Sequence, residues 1–325
     1  MLNSLLAAIM GTFCFALVLV RLLCTERLAR LIVDVPNNRS LHTVPTPRTG
    51  GIGLMVAAAL GWLWLAGSAL PWLVGLAGLL ALVFLIDDVW SLPVLPRFVA
   101  QFAAAIAFVW ASGPYHVLLL VPLVLGIVWS SNLYNFMDGS NGLSGGMTVF
   151  GFAAYAAAAS LHGNGDIAGV AAIVAAAAAG FLVWNFDPAR IFLGDAGSIP
   201  LGFLAATLGV LGWQWGVWPV WFPPLVFSPF AVDATVTLLQ RARRGEKLSE
   251  AHRSHYYQRL VQSGWSHRRL ALSAYALMAA AAASAVLLRA AHPMVVGVAL
   301  LAWCCLYTGL AIIIDGRWAR FKSSA

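Results

Sequence analysis

Apolar runs of about twenty residues recur from one end of this 325-residue chain to the other, the length needed to cross the hydrocarbon core of a bilayer. Within lipid every backbone N–H and C=O must find a partner inside the protein, so only helices and closed barrels can span. The runs are continuous rather than alternating, which excludes a barrel. The chain is 61% hydrophobic and only 10% charged, whereas soluble domains carry about a quarter charged residues. The expected fold class is an all-α polytopic membrane protein, a single integral-membrane domain over residues 1–325 with no soluble domain.

Eleven apolar segments can be placed, near 4–24, 50–66, 70–86, 98–112, 115–131, 145–161, 166–184, 199–214, 217–233, 270–289 and 293–314. The residues before the first run carry no positive charge, and Arg21, Arg27 and Arg30 follow it. That pattern reads as a retained first helix with its N-terminus outside, in the periplasm, rather than a cleaved signal peptide. With this orientation, 18 of the 19 Lys and Arg residues fall on the inner side and only Arg289 outside, as the positive-inside rule requires. The C-terminus is then cytoplasmic, and the cytoplasmic loops lie near 25–49, 87–97, 132–144, 185–198 and 234–269. Positive-inside topology alone accounts for the net charge of +7. No basic patch is interleaved with exposed aromatics, so nucleic acid is excluded as a partner. Cys14, Cys24, Cys304 and Cys305 lie in or beside apolar runs without metal-ligand spacing and read as small apolar-phase residues.

Polar islands interrupt the apolar sequence, all on the expected inner side, and each holds an aspartate. Carboxylates at membrane helix ends are costly and mark function by default. The first loop runs from Asp34 through His42 and Pro47-Arg48-Thr49 to Gly50-Gly51. Helix-start amides beside Arg48 would seat a phosphate, although a plain loop with close Gly packing reads equally well. Asp87 and Asp88 end the third segment, and adjacent carboxylates there repel unless a cation separates them; Arg97 is a candidate phosphate partner. Asn132, Asn135 and Asp138, spaced by three, would form one polar strip if the helix continues. Asn185 and Phe192 lead to Gly194-Asp195-Ala196-Gly197-Ser198, where Asp195 can reach a metal and Ser198 offers a cap-like hydroxyl. Asp233 precedes the largest inner loop. If that loop is helical, His252, His255 and Arg259 share a face, and with Arg253 could grip a diphosphate; a solvated loop is the alternative. Zinc lacks a third ligand there.

These motifs, in order from about Asp34 to Arg259, resemble the polyprenyl-phosphate N-acetylhexosamine-1-phosphate transferases, glycosyltransferase family 4. The form His252-Arg253-Ser254-His255-Tyr256-Tyr257-Gln258-Arg259 is most similar to the branch that initiates O-antigen synthesis. The resemblance implies transfer of a HexNAc-1-phosphate from a UDP-N-acetylhexosamine to undecaprenyl phosphate at the bacterial inner membrane, with Mg²⁺, or Mn²⁺ in its place. It implies catalytic roles for Asp87, Asp88 and Asp138, metal binding by Asp195 and Asp88, uracil stacking by Phe192, and diphosphate contacts from the loop histidines. Arg48, Arg97, Asn132, Asn135, Asn141 and Asn185 complete the candidate substrate-binding set, and a homodimer is a family expectation. The family usually has Asp-Gly-x-Asp-Gly where this chain has Asp138-Gly139-Ser140-Asn141-Gly142, so position 141 carries no charge.

Two rivals stand beside this reading. A lipid-linked-sugar flippase would place ionisable groups at mid-membrane on broken helices within repeated halves, and no internal repeat is visible. A catalytically degenerate family member would follow from Asn141. Direct attack by the lipid phosphate, with Asp87 or Asp88 as base, is favoured over a phospho-enzyme.

Overall fold

The computed structural model describes residues 2–25, 32–36, 41–65, 70–247, 250 and 252–324. Arg27, Arg30 and Arg39 of the first loop, and the short linker at 67–69, lie outside the described residues. The fold is an all-α membrane bundle. Its helices are α1 (Leu2–Leu23), α2 (Gly50–Trp64), α3 (Pro71–Trp90), α4 (Val94–Ser112), α5 (Val117–Phe136), α6 (Leu143–His162) and α7 (Gly165–Asn185), then α8 (Asp195–Gln214), α9 (Phe222–Val226), α10 (Ser228–Arg243), α11 (Tyr256–Gln262), α12 (His267–Leu288) and α13 (Pro293–Ser324).

Among the described residues, eight helices are long and apolar enough to cross a membrane: α1, α3, α4, α5, α7, α8, α12 and α13. The other three expected segments are helical but differ in kind. Helix α2 has 15 residues, about 22 Å at 1.5 Å per residue. Helix α6 is rich in Gly, Ser and Ala, which lowers its hydropathy. The segment expected at 217–233 breaks into α9 and α10 at Phe227. Pro223, Pro224 and Pro229 remove backbone donors there and forbid a continuous helix.

Helix α8 is the centre of the bundle, with 83% of its apolar window buried, and it packs against α3, α5 and α2. Helix α7 lies between α1 and α6, while α13 stands at the edge with none of its window buried. Without a hydrophobic force between helices in lipid, close approach rests on small residues. The tightest such contact pairs α2 with α8: a Cβ at Gly51 would fall on the Cα of Gly197, and the reverse holds too.

The alternation of helices brings the ends of α3, α5 and α7 together with the starts of α2, α6, α8 and α12. A two-residue antiparallel ribbon closes this end, with β1 (Val33–Asp34) paired to β2 (Thr46–Pro47). The ribbon is stitched to the segment before α8: Phe192 N–H donates to Pro47 O at 2.7 Å, Gly50 N–H to Phe192 O at 2.9 Å, and Gly51 N–H to Leu193 O at 2.8 Å.

The Gly51–Gly197 contact yields a prediction. Gly51→Ala and Gly197→Ala should each lower the detergent-solubilised melting temperature, by the equivalent of about 1–3 kcal/mol for overpacking. Gly75→Ala, whose new methyl meets no atom within 4 Å, should leave it unchanged. Differential scanning fluorimetry of the three variants decides the matter.

Candidate active site

Asp88 ends α3 with its side chain only 1% exposed. Its Oδ2 accepts from Ala196 N–H at 3.0 Å and its Oδ1 from Asp195 N–H at 3.3 Å. These are first-turn amides of α8, whose orphan donors and dipole favour a carboxylate. Arg48 Nη2 stands 3.0 Å from Asp88 Oδ1 and 3.2 Å from Asp195 Oδ1, so one guanidinium joins both carboxylates. Gly194, which precedes α8, has φ +75°, and a Cβ there would strike Arg48 O and Asp88. Both facts require glycine.

Asp87 is adjacent in sequence but not in role. Its Oδ1 accepts from Leu92 N–H at 2.7 Å and its Oδ2 from Arg97 Nη1 at 3.1 Å. The two side chains diverge, so the cation expected between them is replaced by a separate partner for each. Arg97 is thereby engaged in holding the turn between α3 and α4.

A polar cavity of about 140 Å³ opens beside this cluster. It is lined by Arg48, Asn135, Asp138, Asn141, Asn185, Phe192 and Asp195 from the expected set, and also by Asp34, His42 and His267. Helix α5 stops at Phe136, so Asp138 lies in the following loop rather than on a continued helical strip. Asn132 is not in the cavity. It forms an amide pair with Gln101 of α4, donating from Nδ2 to Oε1 at 2.5 Å, which makes it interhelical glue. Asn185 lines the cavity with both polar ends engaged: Oδ1 accepts from Gly142 N–H at 3.0 Å and Nδ2 donates to Ile191 O at 2.9 Å. Phe192 meets His42 edge-on at 4.9 Å, and His42 Nε2 lies 3.9 Å from Asp34 Oδ2.

The histidine loop is built differently from the sequence expectation. Helix α11 starts only at Tyr256, so His252 and His255 do not share a helical face with Arg259. Asp233 accepts from Tyr256 N–H at 2.9 Å and Tyr257 N–H at 3.0 Å, capping α11 as Asp88 caps α8. His255 is buried with Nδ1 3.2 Å from Asp233 Oδ1. His252 packs 4.8 Å from His255. Burial, then His255, lowers its pKa to about 4, so it is neutral at neutral pH and adds no fixed charge. Arg259 is tied to Asp315 and Gln240, while Arg253 is exposed. Tyr257 OH donates to Phe136 O at 3.1 Å and couples this loop to the Asp138 loop. Ser198 lies inside the first turn of α8 and is buried; the Asp88 carboxylate does the capping expected of it.

His267, Gln101 and Asp187 are functional-end residues that sequence reasoning passed over. His267 Nδ1 lies 2.7 Å from Ser140 Oγ and Nε2 3.1 Å from Leu41 O, bridging the Asp138 loop to the first loop. Its only signal was a Ser266 cap opening a helix on the inner side, where Ser266 Oγ accepts from Arg269 N–H at 3.2 Å. Asp34 and His42 were visible in the first loop without a role.

The donor chemistry fits a hard divalent cation. Asp88 and Asp195 present carboxylate oxygens to the same guanidinium nitrogen, and Asn135 and Asp138 border the same cavity. Among the described residues no group of three or more His, Cys, Asp or Glu side chains is placed to hold a metal ion by itself.

Comparison with known proteins places this end of the bundle in context. Residues 70–212 match glycosyl transferase family 4. The chain is 30% identical over 280 residues to a probable undecaprenyl-phosphate N-acetylglucosaminyl 1-phosphate transferase of Bacillus subtilis (strain 168), covering 80% of this chain and 78% of that one. It is 30% identical over 294 residues to a decaprenyl-phosphate N-acetylglucosaminephosphotransferase of Mycolicibacterium smegmatis, covering 75% and 72%. A phospho-N-acetylmuramoyl-pentapeptide-transferase of Moorella thermoacetica is 33% identical over 169 residues, covering 52% and 51%. The fold is that of a multi-pass membrane protein, and these relatives are transferases of phosphosugars. The chain belongs to the polyprenyl-phosphate N-acetylhexosamine-1-phosphate transferase family.

Burial, followed by the nearby Asp195 and Asp88 charges, raises the Asp138 carboxyl to about 8. Its ordinary value is about 3.9. The folded state therefore binds the extra proton across the window from about 4 to 8, and stability falls as pH rises through it. In metal-free detergent solution the melting temperature should decline from pH about 5 to 8, and Asp138→Asn should flatten that decline. A decline of equal slope in the variant would contradict the assignment.

Proposed function

We propose that the protein transfers N-acetylhexosamine 1-phosphate from a UDP-sugar to undecaprenyl phosphate, releasing UMP and initiating O-antigen or another envelope glycan. The site would face the cytoplasm of a bacterial inner membrane. The observation that carries this reading is the Arg48–Asp88–Asp195 cluster at the start of α8, beside a small polar cavity, in a chain of this family. A phosphate oxygen of the acceptor attacks the phosphorus that bears the sugar. The P–O–P bridge breaks, and UMP leaves with the electron pair of the bridging oxygen.

The protein's part is mainly positioning and charge. Asp195 and Asp88 would hold Mg²⁺, or Mn²⁺ in its place, and the ion would neutralise phosphate charge when bound. Arg48, already beside both carboxylates, is placed to bind a phosphate oxygen. Phe192 offers a flat face for the uracil. Asp138 lines the cavity, and its pKa of about 8 makes its ionised form a stronger base than an ordinary carboxylate toward a proton of the acceptor phosphate. Asp87 and Asp88 are held by backbone amides and arginines, which favours Asp138 over either as base. Direct attack remains the favoured route.

A second cavity, of about 910 Å³, lies between α10, α12 and α13. Phe230, Val236, Leu270, Leu277 and Leu306 give it an apolar wall, as a prenyl chain requires. Met137 and Leu143 also line it, and they bracket the Asp138 loop. A chain lodged there would have its phosphate end at the polar cavity.

Purified protein should release UMP from a UDP-N-acetylhexosamine only when undecaprenyl phosphate and Mg²⁺ are both present, and EDTA should abolish release. Asp88→Asn and Asp195→Asn should each lower kcat by about 100-fold or more, the scale of losing a preorganised charge. UMP formed without lipid phosphate, or at the wild-type rate in both variants, would reject the reading. A panel of UDP-sugars names the hexosamine.

A further inference from the structure

The neutral residue at position 141 is paired with a carboxylate outside the motif. Asn141 Nδ2 donates to Asp187 Oδ1 at 2.8 Å, 46 residues along the chain. An ionised carboxylate only accepts hydrogen bonds, so the amide must turn its NH₂ toward Asp187. The Asn141 Oδ1 then faces the other way. It accepts no hydrogen bond from any described residue, yet Asn141 lines the polar cavity with Phe192, Asn185 and His267. The loop around it is fixed independently. Ser140 is held by His267 at 2.7 Å, Gly142 N–H by Asn185 at 3.0 Å, and Gly142 O by Tyr275 OH at 2.7 Å. The Asn141–Asp187 bond is therefore not needed to hold the backbone. What it fixes is which atom of the amide the cavity sees.

We propose that Asp187 is a positioning residue that locks the Asn141 amide so that Oδ1 presents a hydrogen-bond acceptor to a donor group on the nucleotide sugar. The inference rests on the function proposed above. The donor is an N–H or O–H of the nucleoside or of the hexosamine. A free amide would spend part of its time with NH₂ toward the cavity, where it cannot accept. A carboxylate at 141 would face Asp187 across a hydrogen-bond distance, and one of the two would have to take up a proton or move away. Asp187 thus makes an uncharged residue work at this position.

The test uses full-length protein with UDP-N-acetylhexosamine and undecaprenyl phosphate. Asp187→Ala should raise the KM for the UDP-sugar about tenfold, the worth of one hydrogen bond to a buried partner, with the smaller effect on kcat. Asn141→Asp should be worse. The exchanged pair, Asn141→Asp with Asp187→Asn, restores one donor facing one acceptor and should recover KM to within about threefold of wild type. Melting temperatures should not track these changes. UMP inhibition separates the sources: weakened in Asp187→Ala it assigns the donor to the nucleoside, and unchanged it assigns it to the sugar. An unchanged KM in Asp187→Ala, or an exchanged pair no better than Asn141→Asp, overturns the inference while an active wild type leaves the function standing. Should Asp187→Ala fail to fold, the exchanged pair alone decides. A wild type that releases no UMP from any UDP-sugar overturns both.

Discussion

The Asp88 carboxylate against the first turn of α8 is the interaction on which the site depends. It ties the end of α3 to the start of α8, and Arg48 adds the loop before α2 to the same point. Burying a carboxylate costs several kcal/mol unless its lone pairs are filled. Here two backbone amides and a guanidinium fill them. The net gain in stability from such a buried cluster is small or absent; its effect is to fix geometry. Asp195 can occupy one place only, because its own amide is held by Asp88 and its carboxylate by Arg48. Gly194 and the Gly51–Gly197 contact let the backbones come close enough for this arrangement.

The same device appears again at α11. Asp233 receives two first-turn amides and His255, and Tyr257 then reaches Phe136 beside the Asp138 loop. A membrane bundle gains little register from apolar packing, because lipid tails solvate its helices as well as leucine does. Carboxylate caps on short or central helices supply the register that packing does not. Two of the aspartates that look like chemistry in the sequence therefore do structural work first, and this work places the aspartates and arginine around the cavity.

Much of the fold was legible from the chain. Segment length marked the helical stretches, although eleven spans were expected and eight described helices are long and apolar enough to cross; alternation of the stretches predicts that the polar islands share one end. The individual partners were not legible. Asp87 and Asp88 are neighbours in sequence, but a 100° step on a helix sends one to Arg97 and the other to α8. Asn132 and Asn135 lie on one face by spacing, yet Gln101 of α4 takes the first and leaves the second to the cavity. Residue type marked both pairs as important, whereas the choice between glue and site belongs to the neighbouring helix. His252 and His255 show the related case of an element boundary: a helix capped by Asp233 cannot begin four residues earlier. Tyr257, Tyr275 and Phe186 pack against the glycines that follow Asp138, contacts that no local sequence pattern announces.

Charge is the remaining constraint. The cavity wall carries Asp34, Asp138 and Asp195, with Asp88 behind them, against one Arg48. Two phosphorylated substrates entering such a site would meet a net negative field, strengthened by the low dielectric around it. Three features on this chain reduce that penalty. Arg48 already offsets part of the Asp88–Asp195 charge, burial raises the Asp138 pKa to about 8 so that the carboxyl is largely protonated at neutral pH, and position 141 is an amide rather than a carboxylate. They do not remove it, because the single positive charge of Arg48 cannot balance two carboxylates and an incoming diphosphate together. A divalent cation between the carboxylates, as in the function proposed above, would offset this charge and free Arg48 for phosphate. In this account the arginine keeps two buried carboxylates compatible with folding until a stronger cation and its anionic ligands arrive together.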